Sequence, residues 1–433
     1  MPDDTAAPAV EVSIERLGAH GDGVAHHGAT RLYVPHTVPG DRVRVRPGPA
    51  KGDGATATLE AVVAHGPHRV TPFCAHHGHC GGCTVQHLAG DAYRAWKRDV
   101  VTGALARQGL EVSDRVDALV VPETRTRRRA GLSAVRSRDG VILGFAARRS
   151  HHVSEAADCP LLDPAIRDAA EALRPALGRV LSRRGRADVL LTVTETGVDA
   201  VITADRAPDA AGREALAAAA RRGDLAQLSL RRGDDHGFDP ILQERPPRAT
   251  FGGVTVDLPP GPFLQASPEV EERLGHVVTE AVLPAGPALD LFSGCGTFTF
   301  PLAQYVTVQA VDGTAEALAA VKRAAARTGA ATRVGTTVRD LERNPMQPRE
   351  LSGYRAVVMD PPRAGAKPQA RALARAAREH EAPGVVVMIS CSPGTFARDV
   401  RLLTDAGYRL ERVTPIDQFP WSAHVELAGV LRW

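Results

Sequence analysis

The residues of this chain that can do covalent chemistry converge near its C-terminus. In Met388–Asp399, MISCSPGTFARD, the apolar run Val385–Ile389 reads as a buried strand that ends at Ser390-Cys391, before Pro393 and Gly394. In an open α/β sheet the carboxyl ends of the strands face the crevice that binds ligands, so Cys391 stands where a nucleophile would. Only a thiolate attacks well, and a free thiol titrates near ~8.5, so this group needs help to react. A small buried apolar residue is the other reading of the same cysteine. Glu426 is the second reactive candidate. It breaks the apolar run from Val425 to Val430, where a carboxylate is costly unless it has a partner or a task.

A second constellation lies upstream. Ala288–Phe292 is a short apolar strand that runs through Ser293-Gly294-Cys295-Gly296-Thr297 into a helical stretch, Phe298–Gln304. Glycines there let a ligand approach the backbone, and a helix N-terminus receives an anionic group. The third glycine of the pyrophosphate fingerprint is missing, which favours S-adenosylmethionine, with its single carboxylate, over NAD. Val306–Val311 is the next strand, and Asp312 at its end is placed to take ribose hydroxyls, 22 residues after Asp290. A further strand, Ala356–Met359, ends in Asp360-Pro361-Pro362-Arg363, where two prolines stiffen the loop and fix where Asp360 points. Amino-group methyltransferases commonly carry an aromatic residue after such a proline pair. Arg363 stands there instead, which disfavours transfer to an exocyclic amine.

The third constellation is Cys74, Cys80 and Cys83, spaced Cys-x5-Cys-x2-Cys among glycines, with Cys159 followed by Pro160 further on. Four thiolates suit either zinc or an iron–sulfur cluster. The unequal spacing, the distant fourth ligand and the proline after it favour iron–sulfur. His76, His77 and His79 read as exposed loop histidines.

Several elements must position these groups. Residues 10–70 show short alternating strands with a turn at Pro39-Gly40-Asp41, an OB-like barrel with Arg42, Arg44 and Arg46 on its solvent face. A helical pattern covers Leu88–Leu110. Between Glu123 and His152 stand eight arginines, on a hairpin turning at Arg138-Asp139-Gly140, against only Glu123 and Asp139. That density reads as a footprint for phosphates. Residues 163–245 give two helices and two strands of a small α+β unit, with Gly223–Pro247 as a polar connection. The expected organisation is a barrel over 1–70, a central domain over 71–250 and a Rossmann-like α/β catalytic domain over 251–433, with the helix near 88–110 packing on the last. At 433 residues the chain is long enough for about three domains. Its start has no basic region followed by an apolar core, and no apolar run reaches the ~18–20 residues of a membrane helix. Six cysteines in what reads as a cytosolic chain argue against disulfides.

Five segments together resemble the RNA uracil-5 methyltransferases, in that family's order: FLQASPEV (263–270), LDLFSGCGTFTFPLA (289–303), MDPPRAGA (359–366), ISCSPGTFARD (389–399) and DQFPWSAHVE (417–426). The N-terminal segment, Gly21–Val45, resembles the TRAM domain of RNA-modifying enzymes. With the four cysteines it resembles the iron–sulfur branch that acts on 23S ribosomal RNA. The resemblance implies methyl transfer from S-adenosylmethionine to C5 of a uridine, with Cys391 adding at C6 and Glu426 removing the C5 proton. It implies cofactor contacts from Gln265, Phe292, Thr297, Asp312, Asp340 and Asp360, and a 4Fe-4S cluster on Cys74, Cys80, Cys83 and Cys159. Thr297 replaces a frequent asparagine and Asp312 a frequent glutamate. Cys295, in the cofactor turn, is a rival nucleophile. The expected partner is 23S rRNA or its precursor, with no membrane and no obligatory protein partner. Methylation of the tRNA T-loop and a non-catalytic RNA-binding iron–sulfur protein are the alternatives.

Overall fold

The computed structural model describes residues 8–52, 54–124, 126–148, 150, 152–155, 158–232 and 237–433. Arg125 and Arg149 of the arginine-rich stretch lie outside the described residues, as do 233–236.

The sheet that carries the chemistry begins after residue 287. Its strands, in chain order, are β1 (Ala288–Leu291), β2 (Val308–Asp312), β3 (Val334–Val338), β4 (Ala356–Met359), β5 (Val385–Ser390), β6 (Arg409–Ile416) and β7 (Glu426–Arg432). They lie in the order 3-2-1-4-5-7-6. All neighbours are parallel except β7, which is antiparallel to both β5 and β6. The central strands β4 and β5 are buried along their whole length because both faces are covered. Along β5, Val385, Val387 and Ile389 enter the core formed with helix Pro268–Val282, while Val386 and Met388 enter the core on the other face. That second core is filled by helices Lys367–Arg378 and Pro393–Thr404 and by α1 (Gly90–Ala106), whose Val101, Ala104 and Leu105 come from the N-terminal half. The Rossmann-like α/β catalytic fold expected from the sequence is therefore the fold observed.

Upstream, six strands between Val10 and Ala64 form one sheet around Val12, Ile14, Leu32, Val43 and Val45. Arg42, Arg44 and Arg46 project outward as expected, and Glu60 pairs with the last two. Seven strands between Arg129 and Gln243 form a second sheet, with helices Pro164–Val180 and Ala210–Arg222 packed on it. The polar connection expected over Gly223–Pro247 instead contains two of its strands, Leu225–Arg232 and Phe238–Gln243. The misreading has a physical cause. Gln227 and Ser229 interrupt the apolar pattern, yet both are buried, and Gln227 donates to Asp199 at 2.9 Å across the strand.

The arginine-rich stretch also differs from expectation. Arg127 is half-buried over the Phe419 ring, 5.1 Å from its centroid. Arg128 pairs with Glu271 at 2.5 Å, Arg136 donates to the Leu181 carbonyl, and Arg148 pairs with Asp22. These guanidiniums join pieces of the protein to one another rather than forming an open phosphate-facing row.

Candidate active site

Strand pairing brings the two reactive candidates together. β5 and β7 are antiparallel, and Ser390 is opposite Leu427. One step further along the same register, Cys391 leaves β5 at the level where Glu426 opens β7. Pro393 begins the next helix, so the thiol sits at a strand-to-helix turn. Burial pushes the Cys391 thiol above its ordinary range, and the Glu426 carboxylate adds to the rise. Arg363 opposes both, by charge and by a hydrogen bond to the sulfur. Arg363 is held from below: Thr395 donates to its carbonyl, and Arg398 and Asp399 grip Ala364 and Ala366 of the same loop.

Glu426 is 3% exposed, and burial with the nearby Asp360 charge holds its carboxyl well above the usual range. A polar chain links the two acids. Gln265 donates to Asp360 at 2.9 Å, and Gln418 donates to Gln265 at 2.9 Å and to Glu426 at 3.0 Å. Two side-chain amides thus bridge two carboxyls that would otherwise repel each other. This chain ties Gln265 to the acids beside Cys391.

The glycine turn after β1 is held by the acid expected there. Asp312 accepts from Gly294 N–H at 2.9 Å and from Thr314 N–H at 2.7 Å, so it fixes the turn and keeps further lone pairs for a ligand. Phe292 (φ 60°) and Gly294 (φ 51°) both adopt left-handed backbone there. Asp290 is fully buried, accepts from the Thr299 hydroxyl at 2.5 Å, and is pushed up to about 7 by burial. Its Oδ1 has no partner among the described residues. Asp340 lies two residues beyond β3, and Arg339 between them donates its backbone N–H to the Asp312 carbonyl, so both acids edge the same crevice. Cys295 is 3% exposed, packed in the core and pushed up to about 12 by burial, which removes it as a rival nucleophile. A cavity of about 1100 Å³ reaches the turn at Thr297 but is lined by neither Cys391 nor Glu426.

Cys74, Cys80, Cys83 and Cys159 line one small pocket together with Arg127. Gly81 permits the approach: a Cβ there would meet the Ala146 carbonyl at 2.5 Å. His76 bonds Asp158 at 2.7 Å. His77 is not the exposed loop residue expected: it packs against His36 and His87, with its Nε2 3.1 Å from Nδ1 of His87.

The tRNA (Uracil-5-)-methyltransferase family matches residues 257–432. An uncharacterized RNA methyltransferase of Brucella suis is 40% identical over 99% of this chain and 99% of its own length. The 23S rRNA (uracil(1939)-C(5))-methyltransferase RlmD of Halomonas elongata is 35% identical over 96% of this chain and 88% of its own. The chain belongs to the RNA uracil-5 methyltransferase family. Its fold matches that of the Pyrococcus abyssi tRNA (uracil-54, C5)-methyltransferase, solved with S-adenosyl-L-homocysteine, with a TM-score of 0.72 at 23% identity, over 98% of this chain and 100% of that one.

Two residues that meet the candidate pair were not singled out from the sequence of this family member. Arg363 was noted for what it excludes, not as the cation facing Cys391, because 28 residues separate them. Gln418 was passed over because its partners, Gln265, Ala266 and Glu426, meet it only in the folded chain.

Proposed function

We propose that this protein methylates C5 of a uridine in 23S rRNA, with Cys391 as nucleophile and Glu426 as general base. The observation that carries the reading is the β5–β7 register, which sets a thiol and a buried carboxyl side by side with one guanidinium between their charges. Cys391, as thiolate beside Arg363, adds to C6 of the uracil. The C5–C6 π electrons then move toward O4, making C5 nucleophilic. S-adenosylmethionine, when bound, would supply the methyl group that C5 takes, its sulfonium S–CH3 bond breaking and S-adenosylhomocysteine leaving. Glu426 removes the C5 proton, the C5–C6 double bond re-forms, and the C6–S bond breaks to return the thiolate. Phe292, Thr297, Asp312 and Asp340, at the turn and strand ends, would hold the cofactor, and Asp360 with Gln265 would face its reactive end. The target base must leave its stack to reach Cys391.

We read the four-cysteine pocket as an iron–sulfur site, because the unequal spacing of Cys74, Cys80 and Cys83 and the proline after the distant Cys159 suit a cluster. A cluster there would serve as structural ligation. Anaerobically purified protein should carry iron, and stoichiometric zinc without iron would overturn that assignment.

The 23S rRNA reading is supported by the 35% identity to the Halomonas enzyme over 96% of this chain, and we place the protein in the cytosol with its substrate. Against RNA containing 5-fluorouridine, the wild type should form a covalent adduct and Cys391→Ala none. An adduct that survives the substitution sinks the mechanism. Mapping 5-methyluridine in rRNA and tRNA of a deletion strain decides between 23S rRNA and the tRNA T-loop.

A further inference from the structure

The segment Asp417–Glu426 delivers Gln418 and Glu426 to the site, yet it is not held by the catalytic sheet alone. Lys97, from α1, has a fully buried side chain whose ammonium donates to three acceptors in this segment: a carboxylate oxygen of Asp417, the Phe419 carbonyl at 3.0 Å and the His424 carbonyl at 2.7 Å. An ammonium has three protons, and all three are used. Tyr93, one helical turn earlier on the same face, donates to the other Asp417 oxygen at 2.7 Å and accepts from Trp421 N–H at 2.8 Å. The Trp421 carbonyl accepts from Thr84 and Val85, directly after Cys83. Trp421 itself has φ 62°, a conformation its side chain disfavours and which these contacts hold in place.

We infer that Lys97 and Tyr93 are positioning residues for proton removal from C5: they set the course of 417–424 and through it the placement of Gln418 and Glu426. This rests on the proposed roles of Cys391 and Glu426. A merely structural ion pair and this clamp differ in which step they slow. If Glu426 is misplaced, addition and methyl transfer still occur, but the C5 proton stays and the Cys391–C6 bond cannot break. Methylated enzyme–RNA adduct then accumulates on natural RNA, without any fluorinated base.

The test compares wild type, Lys97→Met and Tyr93→Phe on natural RNA, following turnover, adduct on denaturing gels and amide exchange in 417–426. Tyr93→Phe keeps the ion pair, so it remains informative where Lys97→Met fails to fold. Expected are faster exchange in 417–426, a fall in kcat of about tenfold to a hundredfold with KM for RNA little changed, and trapped methylated adduct. Unchanged exchange overturns the clamp. Faster exchange with normal turnover, or with slow turnover and no adduct, overturns its role in proton removal. Absence of an adduct between the wild type and 5-fluorouridine RNA removes the proposed chemistry instead, and the exchange measurement still decides the clamp.

Discussion

Two acids, Glu426 and Asp360, and one guanidinium share the space around Cys391, and their competition sets when the thiol can act. Burial and Glu426 hold the proton on sulfur, while Arg363 draws it off. Since the folded thiol titrates above its ordinary value, the rate of adduct formation with 5-fluorouridine RNA should still be rising with pH beyond ~8.5. Arg363→Met removes the charge and the hydrogen bond that favour the thiolate and should move that rise to higher pH, slowing adduct formation at pH 8 by about tenfold, one unit being about 1.4 kcal/mol. Stopped-time gels across pH check both, and a pH profile unchanged by the substitution removes Arg363 from this role. Cys391 and Glu426 were legible in the sequence for local reasons: a cysteine ending an apolar strand, and a carboxylate opening a buried one. Arg363, Gln418 and Lys97 were not, since each is an ordinary polar residue until folding gives it a partner 28, 153 or 320 positions away.

The elements that flank the catalytic sheet explain why its C-terminal half is not self-sufficient. β6 is the edge strand, and residues 116–120 run along it: Asp117 and Val120 donate to the Val413 and Pro415 carbonyls, and Asp417 donates back to Val120. An uncovered edge is a template for aggregation. α1 closes the apolar face beneath the same strands with Val101, Ala104 and Leu105. Residues 251–433 expressed alone should therefore aggregate, whereas 90–433 should give a soluble particle in size-exclusion chromatography. Equal solubility of the two would show that neither cover is needed. The helix over Leu88–Leu110 was visible in the sequence as an apolar pattern, and it forms as Gly90–Ala106. The edge cover was not visible, because 116–120 forms isolated bridges rather than a strand with a pattern of its own. The strand Leu225–Arg232 was hidden for the opposite reason, its buried polar residues masking a real strand.

At the scale of the molecule, the charge pattern misled more than the hydrophobic one. Apolar periodicity located the barrel-like sheet, the hairpin and most strands of the catalytic sheet, because burial imposes it directly. A run of arginines carries no such imprint. Arg127, Arg128 and Arg148 turned out to fasten the cysteine pocket, the helix Pro268–Val282 and the N-terminal sheet to their neighbours. The bond from Tyr93 to Asp417 spans 324 positions, which has a consequence for the order in which the chain is made. Chains emerge N-terminus first at ~5–20 residues per second. Tyr93 and Lys97 therefore leave the ribosome many seconds before their acceptors exist, on a helix whose apolar side has nothing yet to cover. Glu426 follows later still, 329 positions after Lys97. A nascent chain thus carries α1 without its polar acceptors through that whole interval, and its longest exposure to misassembly falls there.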